Sequence, residues 1–109
     1  MKSIIAGIVR FQSEQQPSKQ DLFDQLAVAQ SPEVLLVTCA DSRIDPGLIT
    51  QTEPGDLFIC RNAGNIVPPL PGYSGDIAAS VEFGVAALGV KHIVVMGHTD
   101  CGAMKGAMN

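Results

Sequence analysis

The sequence predicts an α/β fold: an open, mostly parallel β-sheet flanked by helices and preceded by amphipathic N-terminal helices. Three observations predict it. The short runs EVLLVTC (33–39), DLFIC (56–60) and HIVVM (92–96) are rich in β-branched residues and lack the polar alternation of a half-solvated strand, so they suit a sheet covered on both faces. Stretches of helical periodicity alternate with these runs, the order expected of parallel strands joined by helices. Finally, Cys39 to Arg43 follows the first run and His98 to Cys101 the third, and open α/β sheets carry their sites beyond the carboxyl ends of strands.

The elements follow in order. Ile4, Ile5, Ile8, Val9 and Phe11 recur at helical spacing, predicting an amphipathic helix over residues 2–15 that stops before Pro17. Ser18 and Asp21 read as a capping box for a second helix over about 18–30, with Leu22, Phe23 and Leu26 on its buried side and Ser31-Pro32 ending it. Pro54-Gly55 is a turn ahead of the second strand, and NAGNIVPPLPGYSG (62–75) is a loop rich in Gly and Pro. Asp76 can cap a helix over about 77–88 carrying Ile77, Val81, Val85 and Leu88, with Gly89 as its stop. After the third strand, Gly97 to Cys101 leads into the first turns of another helix.

The composition bounds the function. With 109 residues, 46% hydrophobic and 17% charged, the chain has material for one core, so one domain over 1–109 is expected. A net charge of -4, with seven Lys and Arg scattered along the chain, provides no basic stripe for phosphates. Nucleic acid and anionic membrane are therefore not expected partners. The opening MKSIIAGIVRFQSEQQ is interrupted by Arg10 and Glu14 and followed by no small-residue cleavage site, and no apolar run approaches the ~20 residues of a membrane span. A cytoplasmic protein is expected. Three cysteines make a poor disulfide framework and read as ligands, nucleophiles or core.

Two thiols, an imidazole and a carboxylate, from Cys39, Cys101, His98 and Asp41, make a chemically suitable tetrahedral zinc set. Cys-x-Asp puts two donors on one side of locally extended backbone, and Arg43 can grip the Asp41 carboxylate with its planar fork. Gly97 and Gly102 allow close backbone approach around the second pair. Each feature also has a plainer reading. Cys39 can be a strand-end core residue, and Asp41-Ser42 a turn or cap. Cys60 reads as core, His92 as exposed, Asp100 as a cap of the following helix, and Met96, Met104 and Met108 as packing.

The segments CADSR, EPGDLFICRNAGNIV, SVEFGVAALGV and IVVMGHTDCGA resemble the β-class carbonic anhydrases of plant-like and bacterial type, in the same order and across essentially the whole chain. The resemblance implies that Cys39, His98 and Cys101 are the protein ligands of a zinc ion. It implies that Asp41 and Arg43 form the catalytic dyad, with Asp41 able to take the fourth zinc position in a closed state. It further implies a substrate pocket lined by Gln30, Phe58, Ala63, Phe83 and Gly102, with Phe58, Ala63 and Phe83 arriving from a partner subunit. Phe83 stands where a tyrosine is expected, and Ala63 where some relatives have valine. The implied reaction is reversible hydration of carbon dioxide to bicarbonate and a proton.

Three alternatives stand beside it: carbonyl sulfide or carbon disulfide hydrolysis on the same scaffold, a non-catalytic zinc-binding or assembly module, and a thiol protein in which Cys39 and Cys101 form a disulfide without metal. Family members continue beyond the HxxC motif with a further strand beside the third and helices covering the sheet. Residues 1–109 are therefore expected to be a domain incomplete at its C-terminus, with HIVVM as an uncovered edge. A homodimer or higher homo-oligomer is expected, with the N-terminal Ile stripe packing across a partner.

Overall fold

A computed structural model of the chain describes residues 1–69 and 75–108. Residues 70–74 of the Gly- and Pro-rich loop expected over 62–75 lie outside that range. The chain divides into two units, Met1–Gln30 and Ser31–Asn109.

In the first unit, α1 (Lys2–Arg10) passes through one wide π turn (Phe11–Gln15) into α2 (Gln16–Ser18), and α3 (Gln20–Val28) follows. Pro17 does not stop the first helix. The Gln16 N–H reaches back five residues to the Phe11 carbonyl, and this turn widens the backbone just ahead of the place where the proline ring needs room. The break comes instead at Lys19, which leaves helical geometry (φ -118°, ψ 26°). Nor is there a capping box: the Ser18 hydroxyl donates back to the Gln15 carbonyl at 2.6 Å, and α3 begins from Lys19 without a side-chain cap. Phe11 and Phe23 meet edge to face with ring centroids 5.9 Å apart. Ile4, Ile5, Ile8 and Val9 are all more than half exposed.

The second unit is built on three parallel strands, β1 (Val34–Cys39), β2 (Leu57–Asn62) and β3 (His92–Met96), in the order β2-β1-β3. The central strand explains its own unalternating sequence. Leu35 and Val37 face one side and Leu36 and Thr38 the other, and none is more than 3% exposed. Leu35 and Val37 join Cys60 and Ile77 in the core, with Phe58, Val81 and Val90 packed against it. Cys60 is thus a core residue, and burial pushes its thiol pKa up.

α5 (Asp76–Glu82) runs into a second π turn (Phe83–Ala87) and ends at Gly89, which has the left-handed φ of +68° expected of a helix stop. Asp76 is its first helical residue rather than its cap, a position held by Gly75. A short helix not expected from periodicity, α4 (Pro46–Thr50), follows the Asp45-Pro46 pair, and Asp45 Oδ1 caps it by accepting from the Leu48 N–H at 3.1 Å. α6 (Gly102–Ala107) follows β3. β3 lies at a sheet edge as expected, with Ile93, Val94 and Val95 between 42% and 55% exposed. Met108 is 88% exposed and packs against little, unlike the packing role expected of it. Among the described residues no helix is long and apolar enough to cross a membrane.

Candidate metal centre

β1 and β3 are hydrogen-bonded neighbours whose ends coincide, with Thr38 opposite Met96. The buried Thr38 hydroxyl ties them further by donating to the Met96 carbonyl at 3.1 Å. The residues leaving the two strands therefore emerge side by side. Cys39 closes β1, His98 lies two residues beyond β3, and Cys101 immediately precedes α6. Asp100, in the left-handed region at φ 55°, makes the bend that returns Cys101 toward Cys39.

The Cys39, His98 and Cys101 donor atoms lie within 4.8 Å of one another, and the two sulfurs are 3.9 Å apart. Both cysteines are buried and free. Cys39 Sγ accepts from the backbone N–H groups of Asp41 and Gly64, each at 3.4 Å. The Gly64 N–H, then the His98 imidazole, then the Asp41 N–H lower the Cys39 thiol to about 6. It is thus readily a thiolate, the form that binds metals. His98 is pushed up, chiefly by the Cys39 sulfur and then by the Thr99 carbonyl. His98 Nδ1–H donates to the Thr99 carbonyl at 2.9 Å, the tautomer that leaves a lone pair on Nε2. That Nε2 is buried and has no hydrogen-bond partner among the described residues. A buried, orphaned imidazole nitrogen beside two thiols is what a bound metal ion would satisfy, so the donor set fits one.

Asp41 opens a turn in which the Ile44 N–H donates to its carbonyl at 2.9 Å and the Arg43 N–H to its Oδ1 at 2.8 Å. The turn reading and the charged-pair reading of this stretch are both correct. Arg43 grips the carboxylate from the side, Nε to Oδ1 at 3.0 Å and Nη2 to Oδ2 at 2.9 Å. Those bonds, and then the Arg43 backbone N–H, hold Asp41 far below the usual carboxylate range, while the Asp41 carboxylate raises Arg43. Asp41 Oδ2 lies 3.9 Å from His98 Nε2. The carboxylate is therefore beside the donor cluster but turned toward Arg43. On its far side Arg43 Nη2 donates to the Asp100 carbonyl at 2.9 Å. Asp100 does not cap α6: its carboxylate pairs with Lys105 Nζ at 2.6 Å.

The other expected site residues are dispersed. Phe58 pairs with Leu35, four residues from Cys39 or about 13 Å along the strand, and its ring lies 5.8 Å from that of Phe83. These two aromatics do not reach their own chain's donor cluster. Ala63 is exposed next to Gly64, Gly102 follows Cys101 at the start of α6, and Gln30 belongs to the first unit. Two contributors escape sequence reasoning. Gly64 is buried at φ +93°, where its N–H can face Cys39. Arg61 donates to three main-chain carbonyls, that of Cys39 at the end of β1 and those of Asp41 and Ile44 in the loop after it. Their roles lie in backbone contacts, which leave no side-chain pattern to read.

With this geometry established, the sequence profile of the carbonic anhydrase family matches residues 34–109. The chain belongs to the carbonic anhydrase family. Similar relatives include the carbonic anhydrase of Synechococcus elongatus, 51% identical over 99% of this chain and 40% of its own length. That of Pseudomonas aeruginosa is 54% identical over 95% of this chain and 47% of its own. This chain thus spans a little under half the length of these carbonic anhydrases. Among solved structures, the β-carbonic anhydrase CcaA matches with a TM-score of 0.94 at 48% identity, over 97% of this chain and 48% of that one. A tetrameric β-carbonic anhydrase from Sordaria macrospora matches at 0.86 and 35% identity, over 99% and 53%. A carbon disulfide hydrolase matches at 0.60 and 29% identity, over 83% and 45%.

Proposed function

We propose that this chain carries the zinc site and catalytic dyad of a β-carbonic anhydrase that reversibly hydrates carbon dioxide. The observation that carries the reading is the buried Cys39–His98–Cys101 cluster, with His98 Nε2 unpartnered and the Asp41–Arg43 pair at its edge. Cys39, His98 and Cys101 would hold zinc, whose chemistry here is to lower the pKa of water and supply a nucleophile, less strongly than on three imidazoles because two thiolates offset the ion's charge, so that alkaline pH is favoured. The protein's part is orientation. Arg43 occupies one edge of the Asp41 carboxylate, so a lone pair on Oδ2 remains to accept a hydrogen bond from the nucleophile and hold it against carbon dioxide. If Asp41 were to turn and become a fourth ligand, it would have to give up Arg43, and the site would close.

Phe58, Ala63 and Phe83 would complete an apolar pocket across a partner subunit, since Phe58 and Phe83 lie away from their own chain's cluster. Gln30 and Gly102 would complete it too. The exposed stripe of Ile4, Ile5 and Ile8 supports a homo-oligomer, and the Sordaria macrospora relative is tetrameric. Residues 1–109 would belong to one catalytic domain in the cytoplasm, where free thiols stay reduced. Carbon dioxide is favoured over carbon disulfide because the likeness to carbonic anhydrases is much closer in sequence and structure. Zinc analysis together with side-by-side assays of carbon dioxide hydration and carbon disulfide hydrolysis tests this. A zinc-free chain, or hydrolysis without hydration, would overturn it.

A further inference from the structure

We propose that Arg61 is a positioning residue that presets the Asp41–Arg43 pair by clamping the turn that carries it. The inference deepens the carbonic anhydrase reading and rests on it for its catalytic consequence. Strand pairing between β1 and β2 ends with Cys39 opposite Asn62, and one further bond runs from the Ala40 N–H to the Asn62 carbonyl at 2.8 Å. Beyond that point the first strand's backbone has no ladder to fix it. Arg61 takes over this task. From β2, its Nε donates to the Cys39 carbonyl at 2.9 Å, and its Nη2 donates to the Asp41 carbonyl at 3.1 Å and the Ile44 carbonyl at 2.7 Å.

These three acceptors are not scattered. Cys39 is the candidate ligand, Asp41 is the first residue of the turn, and Ile44 is its last. One rigid planar cation therefore ties the ligand residue to both ends of the turn whose interior holds Arg43. The described contacts of Arg61 are to main-chain oxygens, while the Asp41 carboxylate is bonded by Arg43, so Arg61 acts on the turn's position. The choice of residue follows from the geometry. A guanidinium offers separate N–H groups in a fixed fork, whereas a lysine ammonium is one compact point and cannot span the three carbonyls.

The test compares the zinc-loaded protein with its Arg61→Gln and Arg61→Lys variants, following hydrogen exchange of the Arg43 Nε–H by NMR, with zinc content and hydration kinetics alongside. The clamp predicts that Arg61→Gln keeps zinc within twofold of wild type but exchanges the Arg43 Nε–H at least tenfold faster, with the Val37 and Thr38 amides unchanged. Arg61→Lys should recover only part of that protection. kcat should fall at least tenfold and KM stay within twofold. Arg43 exchange within twofold of wild type in both variants overturns the proposal, and so does exchange that accelerates equally through β1, the mark of a general structural role. If Arg61→Gln does not fold, Arg61→Lys decides by the same criteria. The exchange readout stands without catalysis: a protein without hydration activity whose Arg43 proton still responds keeps the clamp and refutes the carbonic anhydrase reading.

Discussion

Arg43 holds the Asp41 carboxylate through two parallel charge-assisted bonds, 3.0 Å from Nε to Oδ1 and 2.9 Å from Nη2 to Oδ2, while Asp41 Oδ2 stays 3.9 Å from His98 Nε2. Under the proposed function this pairing separates metal retention from catalysis. Asp41→Ala leaves all three candidate ligands in place, so zinc content should stay close to wild type while the hydration rate falls by roughly 10²-fold, as expected when a reacting group loses its orientation. Arg43→Ala should also be slow. Zinc analysis and stopped-flow hydration assays check both, and wild-type rates in the two variants would remove the pair from the mechanism.

The ligand set makes the opposite prediction. Cys39→Ser or His98→Ala deletes one of the three candidate protein donors, so zinc affinity should fall by more than the roughly 10–100-fold typical of losing a group that merely supports a ligand. Competition with a chromophoric chelator measures this. In wild type, stripping the zinc should leave Cys39 and Cys101, whose sulfurs are 3.9 Å apart, able to form a disulfide once an oxidant is added, with two hydrogen atoms passing to the oxidant and their loss visible by intact mass. Full zinc retention by both variants would refute the assignment.

How much of this was legible depended on whether side chains or backbone carried the information. β1 shows in the sequence because a central parallel strand is buried on both faces and reads as an apolar run, and β2 and β3 show as short β-branched runs although most of their residues are not buried here. Cys39, Asp41, Arg43, His98 and Cys101 show because the proposed chemistry would use those side-chain types at or just past strand ends. Pro17 misleads because a π turn ahead of it accommodates the ring. Asp100 misleads because the chain uses its left-handed backbone and its carbonyl, not its carboxylate, at the site. Arg61 and Gly64 are silent for the same reason: their partners are main-chain oxygens and a sulfur brought near only by folding.

Gly84 tests the packing on the sheet of the π turn that continues α5. A Cβ there would lie 2.6 Å from Leu35 Cδ1 and 3.3 Å from Phe58 Cδ2. Leu35 is fully buried, so its side chain would have to repack within the core. Gly84→Ala should therefore destabilise by about 1–3 kcal/mol despite its better helix propensity. A urea midpoint at or above the wild-type value would show that the helix shifts outward at no cost.

Thr38→Val is a milder probe of the strand pair that aligns Cys39 with His98. It preserves shape but removes the hydroxyl that donates to the Met96 carbonyl at 3.1 Å from a fully buried position. The expected loss is about 1 kcal/mol, the usual net worth of such a bond. The midpoint of thermal unfolding should drop by a few degrees, with zinc affinity reduced less than in any ligand variant. An unchanged midpoint would mean that the backbone ladder alone fixes the two strand ends.

The edge strand β3 should govern the association of the 109-residue chain. Ile93, Val94 and Val95 are 42–55% exposed, and they occupy a strand with one unpaired side. Such a strand combines free backbone donors and acceptors with apolar side chains, the two ingredients of edge-to-edge pairing. The stripe of Ile4, Ile5 and Ile8 on α1 is a second sticky surface, exposed by 53–60%. Light scattering on the chain should therefore report a dimer or larger species. Val95→Lys places a charge on the edge strand and should lower the measured mass, and Ile5→Glu with Ile8→Glu should lower it through the other surface. A wild-type chain that stays at 11.4 kDa across a hundredfold range of concentration would show that neither surface drives association.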